Sequence, residues 1–276
     1  MICDLHEALV EIESQVVAAT SLILFTDFDG TLAPLVEAPD QAKLLPGLRR
    51  VLHKLTERPG FVLAVISGRG LFDLAARVGV PDVVYAGNHG AEIRGRGLRF
   101  IEPAASSRRQ ALEALVATLA ARLKATDGVR VENKGLSATV HTHRLAAGEQ
   151  DEVRRIVHAA VAEAGGLFRV TPGALGHEIC PNVNWHKGTA VRWIAEQLGM
   201  ENALAICLGD DFTDENAFAA LPEGITIRVG KLGRTRARYC VKNPVEVRSF
   251  LAWLSARFNN SVAPVLETAA DCRGVN

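Results

Sequence analysis

The sequence predicts an α/β fold, a doubly wound parallel sheet carrying a smaller inserted α+β unit. Three observations lead there. Short apolar runs of strand length alternate with amphipathic segments of helix length over residues 5–86, and the same rhythm returns over 187–258. Between these stretches the order changes to helix–strand–strand, twice, which suits a small open sheet with helices on one face. The apolar runs of the first pattern end in Asp, Ser, Gly and Asn. Polar groups at the carboxyl ends of strands are where open α/β sheets bind ligands.

Taken in order, residues 5–19 read as an amphipathic helix feeding a first strand at 22–25. A helix follows over 46–58, with Pro46 suited to its first turn. Next come a strand at 61–66, a helix at 71–78 and a strand at 83–86. A hairpin pairs 91–93 with 98–100 through Gly95 and Gly97. The insert then supplies a long alanine-rich helix over 105–125 and strands at 129–133 and 136–143. It continues with a helix over 150–164 and strands at 167–171 and 175–179. The first rhythm resumes with a helix at 187–198, a strand at 203–208, a further helix and a strand at 225–229. Tyr239-Cys240-Val241 and a helix over 244–258 complete it. The expected domains are therefore a core formed by 1–103 and 175–258, with 104–174 inserted as a lid. Residues 259–276 lack periodicity and are expected to form a flexible tail.

Composition narrows the function. The chain has 276 residues, 48% of them hydrophobic, enough for a full core and two domains. Lysine plus arginine equals aspartate plus glutamate at 31 each, so no global basic field invites nucleic acid or an anionic membrane. The five cysteines are scattered, with no CxxC pair, which suggests neither a disulfide framework nor a zinc site. Acidic residues Asp4, Glu7, Glu11 and Glu13 interrupt the apolar start, unlike a signal peptide, and no apolar run approaches a bilayer span. A soluble, cytoplasmic protein is expected.

The chemistry begins at Asp27-Phe28-Asp29-Gly30-Thr31, directly after the first strand. Alternate strand residues share a face, so Asp27 and Asp29 lie on one side of the chain as it leaves the sheet. Two carboxylates there are costly unless a cation or substrate satisfies them. The layout suits a divalent-metal site with a carboxylate nucleophile. The same string also fits a polar loop in which Asp29-Gly30 turns the chain. Three further segments add Ser67-Gly68-Arg69, then Lys187, then Asp210, Asp211 and Asp214, all at strand ends or helix starts. Phosphoryl transfer needs this set: a carboxylate to attack phosphorus, a magnesium ion, and a lysine with hydroxyl or N–H donors for the transferring oxygens.

In these four segments, matched in order over 22–257, the sequence resembles the haloacid dehalogenase superfamily of phosphatases, with its Rossmann-like core and inserted cap. The resemblance implies Asp27 as nucleophile, Asp29 as general acid/base, and Thr31, Ser67, Gly68 and Lys187 around the phosphate. It implies Mg2+ on Asp27, Asp29 (through its backbone carbonyl) and Asp210, with Asp211 orienting bound water and Asp214 orienting Lys187. Within the superfamily the chain is similar to the trehalose-6-phosphate phosphatases. The strings Asp29-Gly30-Thr31-Leu32-Ala33-Pro34, Gly87-Asn88-His89-Gly90, Lys187-Gly188-Xaa-Ala190 and Gly209-Asp210-Asp211-Xaa-Thr213-Asp214-Glu215 carry that likeness.

That second resemblance implies a sugar-phosphate substrate, a functional link to a trehalose-phosphate synthase, and sugar contacts at His89, Glu132, Lys134 and Glu178. Charged acceptors and donors are apt for a field of hydroxyls. On the residues alone, Lys134 and Glu132 also read as solvated strand residues, and His89 as a loop histidine. His141 and His143 alternate with Val140 and Thr142, fitting a polar cap face or a metal pair. The chain departs from the family in reading Glu178-Ile179-Cys180-Pro181, with no arginine–proline pair after the glutamate, and in having His186 where an aspartate often precedes the lysine. Both departures bear on the sugar. Sucrose 6-phosphate or mannosyl-3-phosphoglycerate, or a catalytically silent sugar-phosphate sensor, therefore stand as alternatives.

Overall fold

A computed structural model describes residues 2–173, 175–230 and 233–258; the expected tail, 259–276, lies outside them. The first half of the core contains β1 (Cys3–Asp4), α1 (Leu9–Ala18), β2 (Leu22–Thr26), α2 (Leu48–Thr56), β3 (Phe61–Ile66), α3 (Leu71–Val78) and β4 (Val83–Gly87). The hairpin β5 (Glu92–Gly95) and β6 (Leu98–Ile101) follows. The insert contributes α4 (Pro103–Ser107), α5 (Arg109–Arg122), β7 (Arg130–Asn133), β8 (Ala138–His141), α6 (Ala147–Glu163), β9 (Phe168–Gly173) and β10 (Gly176–Pro181). The core then closes with α7 (Lys187–Gln197), β11 (Leu204–Gly209), α8 (Asp214–Ala220), β12 (Ile225–Val229), β13 (Tyr239–Val241) and α9 (Pro244–Arg257).

Nine strands form the core sheet in the order β1-β13-β12-β11-β2-β3-β4-β5-β6. Pairing is parallel from β1 to β4 and antiparallel at the β4–β5–β6 edge. Every residue of β2 and β3 is buried, as a parallel strand covered on both faces requires. Leu22 and Leu24 pack on one side with Ile12, Leu52, Leu74 and Leu251. Ile23 and Phe25 pack on the other with Val191, Ile194 and Phe218. Helices therefore cover both faces. The chain runs outward from β2 through β3 and β4, then returns to the other side of β2 through β11, so a switch point lies between β2 and β11. Ligand crevices form at such points.

The insert is a four-stranded antiparallel sheet in the order β7-β8-β10-β9. Its apolar face, with Ala138, Val140 and Ile179, packs on Leu112, Leu119, Val153 and Val157 of α5 and α6. The alternate residues Thr139 and His141 border the cavity shared with the core.

Several expectations need correction. The boundary drawn at 174/175 would split β9 from β10, yet β10 pairs with both β9 and β8, so the insert's sheet runs to Pro181. The long helix is two, interrupted at Arg108. Helix α2 begins at Leu48 because Gly47 takes φ +81°, leaving Pro46 outside it. The two-residue edge strand β1, paired in parallel with β13, is too short to carry a periodic signal.

Candidate active site

Strand ends bring the carboxylates together. The Asp27 N–H donates to Leu208 O of β11 (3.0 Å), continuing the ladder one residue past β2. Gly30 then turns the chain at φ +76°, and a Cβ there would fall 2.0 Å from Asp210 Oδ2. Only glycine permits this approach of the β2 and β11 loops. Thr31, fully buried, has its Oγ1 3.4 Å from Asp210 Oδ1.

Lys187 opens α7 and is buried among these acids. Its Nζ donates to Asp27 Oδ1 (2.8 Å) and Asp214 Oδ1 (2.7 Å), and Asp214 Oδ2 accepts from the Asp211 N–H (3.0 Å). Burial opposes the charge on Lys187, but Asp214 and Asp27 more than compensate and hold it protonated. Burial pushes the Asp27 carboxyl well above the usual carboxylate range, and Asp214, Asp210 and Asp29 add to this against Lys187. Burial, with Asp214, raises Asp210 to about 7. Burial also raises Asp211. One ammonium cannot offset this many acids.

A donor oxygen from each of Asp27, Asp210 and Asp214 lies within 4.8 Å of the others. Both Asp214 oxygens are already engaged, so Asp27 and Asp210 are the carboxylates with capacity to spare. The cluster fits a hard divalent cation, which takes oxygen ligands.

Asp29 is held differently. Its two oxygens accept from Arg69 Nε and one Arg69 terminal nitrogen, each at 2.7 Å. Arg69 also donates to Asp73 (2.8 Å) and Pro39 O (2.8 Å) and stacks over Phe28 at 5.3 Å. Burial opposes its charge, while Asp29 and Asp73 stabilise it. Of Asp29, Arg69 engages only the carboxylate, whereas the metal contact expected of Asp29 is through its backbone carbonyl.

The opposite wall comes from the insert. The Lys134 ammonium donates to Gly68 O (3.0 Å) and Glu178 Oε1 (3.3 Å), and His89 Nε2 lies 2.5 Å from Glu178 Oε2. Ser137 Oγ donates to Asn88 Oδ1 (2.7 Å). Asn88 and His89 both adopt positive φ, 51° and 57°, an uncommon conformation that aims side chains from the end of β4 at the insert. His89 and Lys134 hold Glu178 far below the usual range despite its burial. His141 Nε2, 2.8 Å from Glu132 Oε2, lowers Glu132 likewise.

Every residue expected at the site except Thr31 and Asp214 borders one cavity of about 340 Å3. Thr31 and Asp214 lie behind it, against Asp210 and Lys187. The solvated reading of Lys134 gives way to a core–insert contact. The sequence brings Arg69 and His141 into view without their roles as positioning groups, which the structure supplies. Arg69 had a signal, since it follows Ser67-Gly68 at a strand end; His141 had only its alternation with apolar neighbours.

The fold is one shared with haloacid dehalogenase-like structures. A haloacid dehalogenase-like hydrolase from Bacteroides thetaiotaomicron shares the fold at 17% identity, with a TM-score of 0.61 over 85% of this chain and 98% of that one. More narrowly, the trehalose-phosphatase family model matches residues 25–263, and the chain belongs to that family. A trehalose-phosphate phosphatase from Mycobacterium marinum is 35% identical over 245 residues, covering 86% of this chain and 62% of the relative's length. The chain thus spans under two thirds of that relative. A solved trehalose-6-phosphate phosphatase related protein is 26% identical, with a TM-score of 0.74 over 85% of this chain and 97% of that one.

Proposed function

We propose that the protein is a Mg2+-dependent phosphatase that hydrolyses trehalose 6-phosphate to trehalose and inorganic phosphate. The observation that carries this reading is one cavity with Asp27, Lys187 and Asp210 on its core wall and Glu132, Lys134 and Glu178 on its insert wall. Carboxylate, ammonium and metal-sized acid cluster serve the phosphoryl group; the charged insert wall serves sugar hydroxyls.

In this reading Asp27 attacks phosphorus, forming an aspartyl-phosphate as the bond to the sugar oxygen breaks. Asp29 gives a proton to the leaving alkoxide, then takes one from the water that hydrolyses the intermediate. Its pair with Arg69 fixes the carboxyl's position and must loosen as the proton moves. Lys187, oriented by Asp214, stabilises charge on the transferring oxygens, with Ser67 Oγ and the Gly68 N–H as further phosphate donors. Asp27 and Asp210, with the Asp29 carbonyl, would hold Mg2+, which when bound neutralises phosphate charge so that anion can approach anion. Thr31 backs Asp210 from below.

The insert acts as a cap that excludes water and checks the sugar through His89, Glu132, Lys134 and Glu178. The substrate's origin implies a functional link to a synthase that supplies it. Four free cysteines among the described residues go with a cytoplasmic site of action. Among the same residues, no helix is long and apolar enough to cross a membrane.

The test is phosphate release from trehalose 6-phosphate, glucose 6-phosphate, sucrose 6-phosphate and mannosyl-3-phosphoglycerate, each with Mg2+ and with EDTA. Turnover that needs the metal and favours trehalose 6-phosphate is expected. Preference for another ester would overturn the sugar assignment, and no turnover of any would overturn the phosphatase reading.

A further inference from the structure

His89 joins the core to cap strand β10 at two side chains. Its Nε2 contacts Glu178, and the Cys180 thiol lies against the same ring. His89 Nδ1 is buried with no hydrogen bond of regular geometry, and beside Glu178 the Cys180 thiol is the other group acting on the ring. One donor atom each from His89, Glu178 and Cys180 lies within 4.8 Å of the other two. Imidazole, carboxylate and thiolate are the ligand types of zinc, and the softness of sulfur distinguishes this trio from the all-oxygen Asp27–Asp210 cluster. Cys180 lines a second cavity of about 200 Å3 that adjoins the first across His89 and Lys187. The thiol takes no part in the chemistry proposed above.

We propose that His89, Glu178 and Cys180 form a second metal site, selective for borderline-soft divalent cations such as Zn2+, that pins the cap to the core. Binding replaces a ring N–H and the S–H with metal–nitrogen and metal–sulfur bonds; both protons leave to the buffer and no electrons move. A bound ion occupies His89 and Glu178 from both sides of the cavity. It therefore blocks the sugar and inhibits; this consequence, unlike binding itself, rests on the phosphatase reading.

The test uses the full chain with Mg2+ in excess and Co2+ as a spectroscopic substitute for Zn2+. Wild type is expected to show a thiolate-to-cobalt charge-transfer band that Zn2+ abolishes and that Cys180→Ser lacks. Cobalt at an oxygen-only site gives no such band. With Mg2+ alone, Cys180→Ser should keep its phosphatase turnover, and half-inhibition by Zn2+ should require roughly tenfold more metal than in wild type. Should the serine variant not fold, Cys180→Val keeps the strand apolar and serves instead. Absence of the band in wild type, its survival in the Cys180 variant, or equal Zn2+ sensitivity of the two proteins would overturn the site. The cobalt spectrum needs no substrate, so it stands even if trehalose 6-phosphate is not turned over.

Discussion

Asp27 combines burial, a 2.8 Å contact with Lys187 and a raised pKa, so its environment is stabilised by a cation or by neutralisation. Asp27→Asn is expected to fold normally, because the amide keeps the side chain's shape, Asp214 still pairs Lys187, and one charge leaves a site with an excess of acids. Its turnover should fall on the order of 10^4-fold or more, as for loss of a covalent nucleophile; steady-state phosphate release together with circular dichroism checks both halves. At His89 the expectation concerns pH. Burial disfavours its charge, but Glu178 lifts it from 6.5 to about 10. A raised folded-state pKa gives stability that is complete below pH 6.5 and lost as pH climbs through about 10. Glu178 is depressed from 4.5, so its share is present above that value and fades as pH falls through its lowered pKa. Thermal unfolding of wild type and His89→Gln should differ by about 2 kcal/mol between those limits and converge toward pH 10. A difference independent of pH would remove the ion pair as its cause.

Elements position these groups through close approaches. Helix α7 reaches α8 at Gly188, where a Cβ would lie 2.2 Å from Asn216 O. Gly188→Ala should cost about 1–3 kcal/mol by overpacking. It should also lower kcat more than it raises KM, because the neighbouring Lys187 moves away from Asp27. On β7, Glu132 is braced by His141 of β8. Glu132→Ala is expected to lower kcat/KM on trehalose 6-phosphate about tenfold, the value of a charge-assisted hydrogen bond, and to spare a small aryl phosphate; equal losses would place Glu132 outside sugar recognition. Strands β3 and β12 and helix α3 match their sequence-based ranges because apolar periodicity and bounding turn residues are local. The boundary expected at 174/175 falls between the paired strands β9 and β10, since a strand's partners are not written in its own residues.

For the whole molecule, excess acidity at the switch point predicts that a divalent cation bound there stabilises the fold. A ligand at a hundredfold excess over its Kd adds about 2.7 kcal/mol to folding. Mg2+ at that excess should raise the wild-type Tm by several degrees and raise that of Asp210→Asn much less, as scanning calorimetry can show. An equal rise in both proteins would place the ion elsewhere. The insert contributes differently: Lys134 and Glu178 contact Gly68 and His89, so the docked insert completes the wall of the cavity.

Sequence alone determined the core layers, the cap's helix–strand–strand order, and the positions of Asp27, Asp29, Lys187 and Asp210. Each follows from a periodicity or a strand-end turn within a few residues. Only the tertiary structure decided which charges meet. Arg69 takes both oxygens of Asp29, Lys187 bridges Asp27 to Asp214, and His89 reaches Glu178. These partners are distant in the chain and come within hydrogen-bond reach because the sheet order and the docked cap place their strand ends around one cavity.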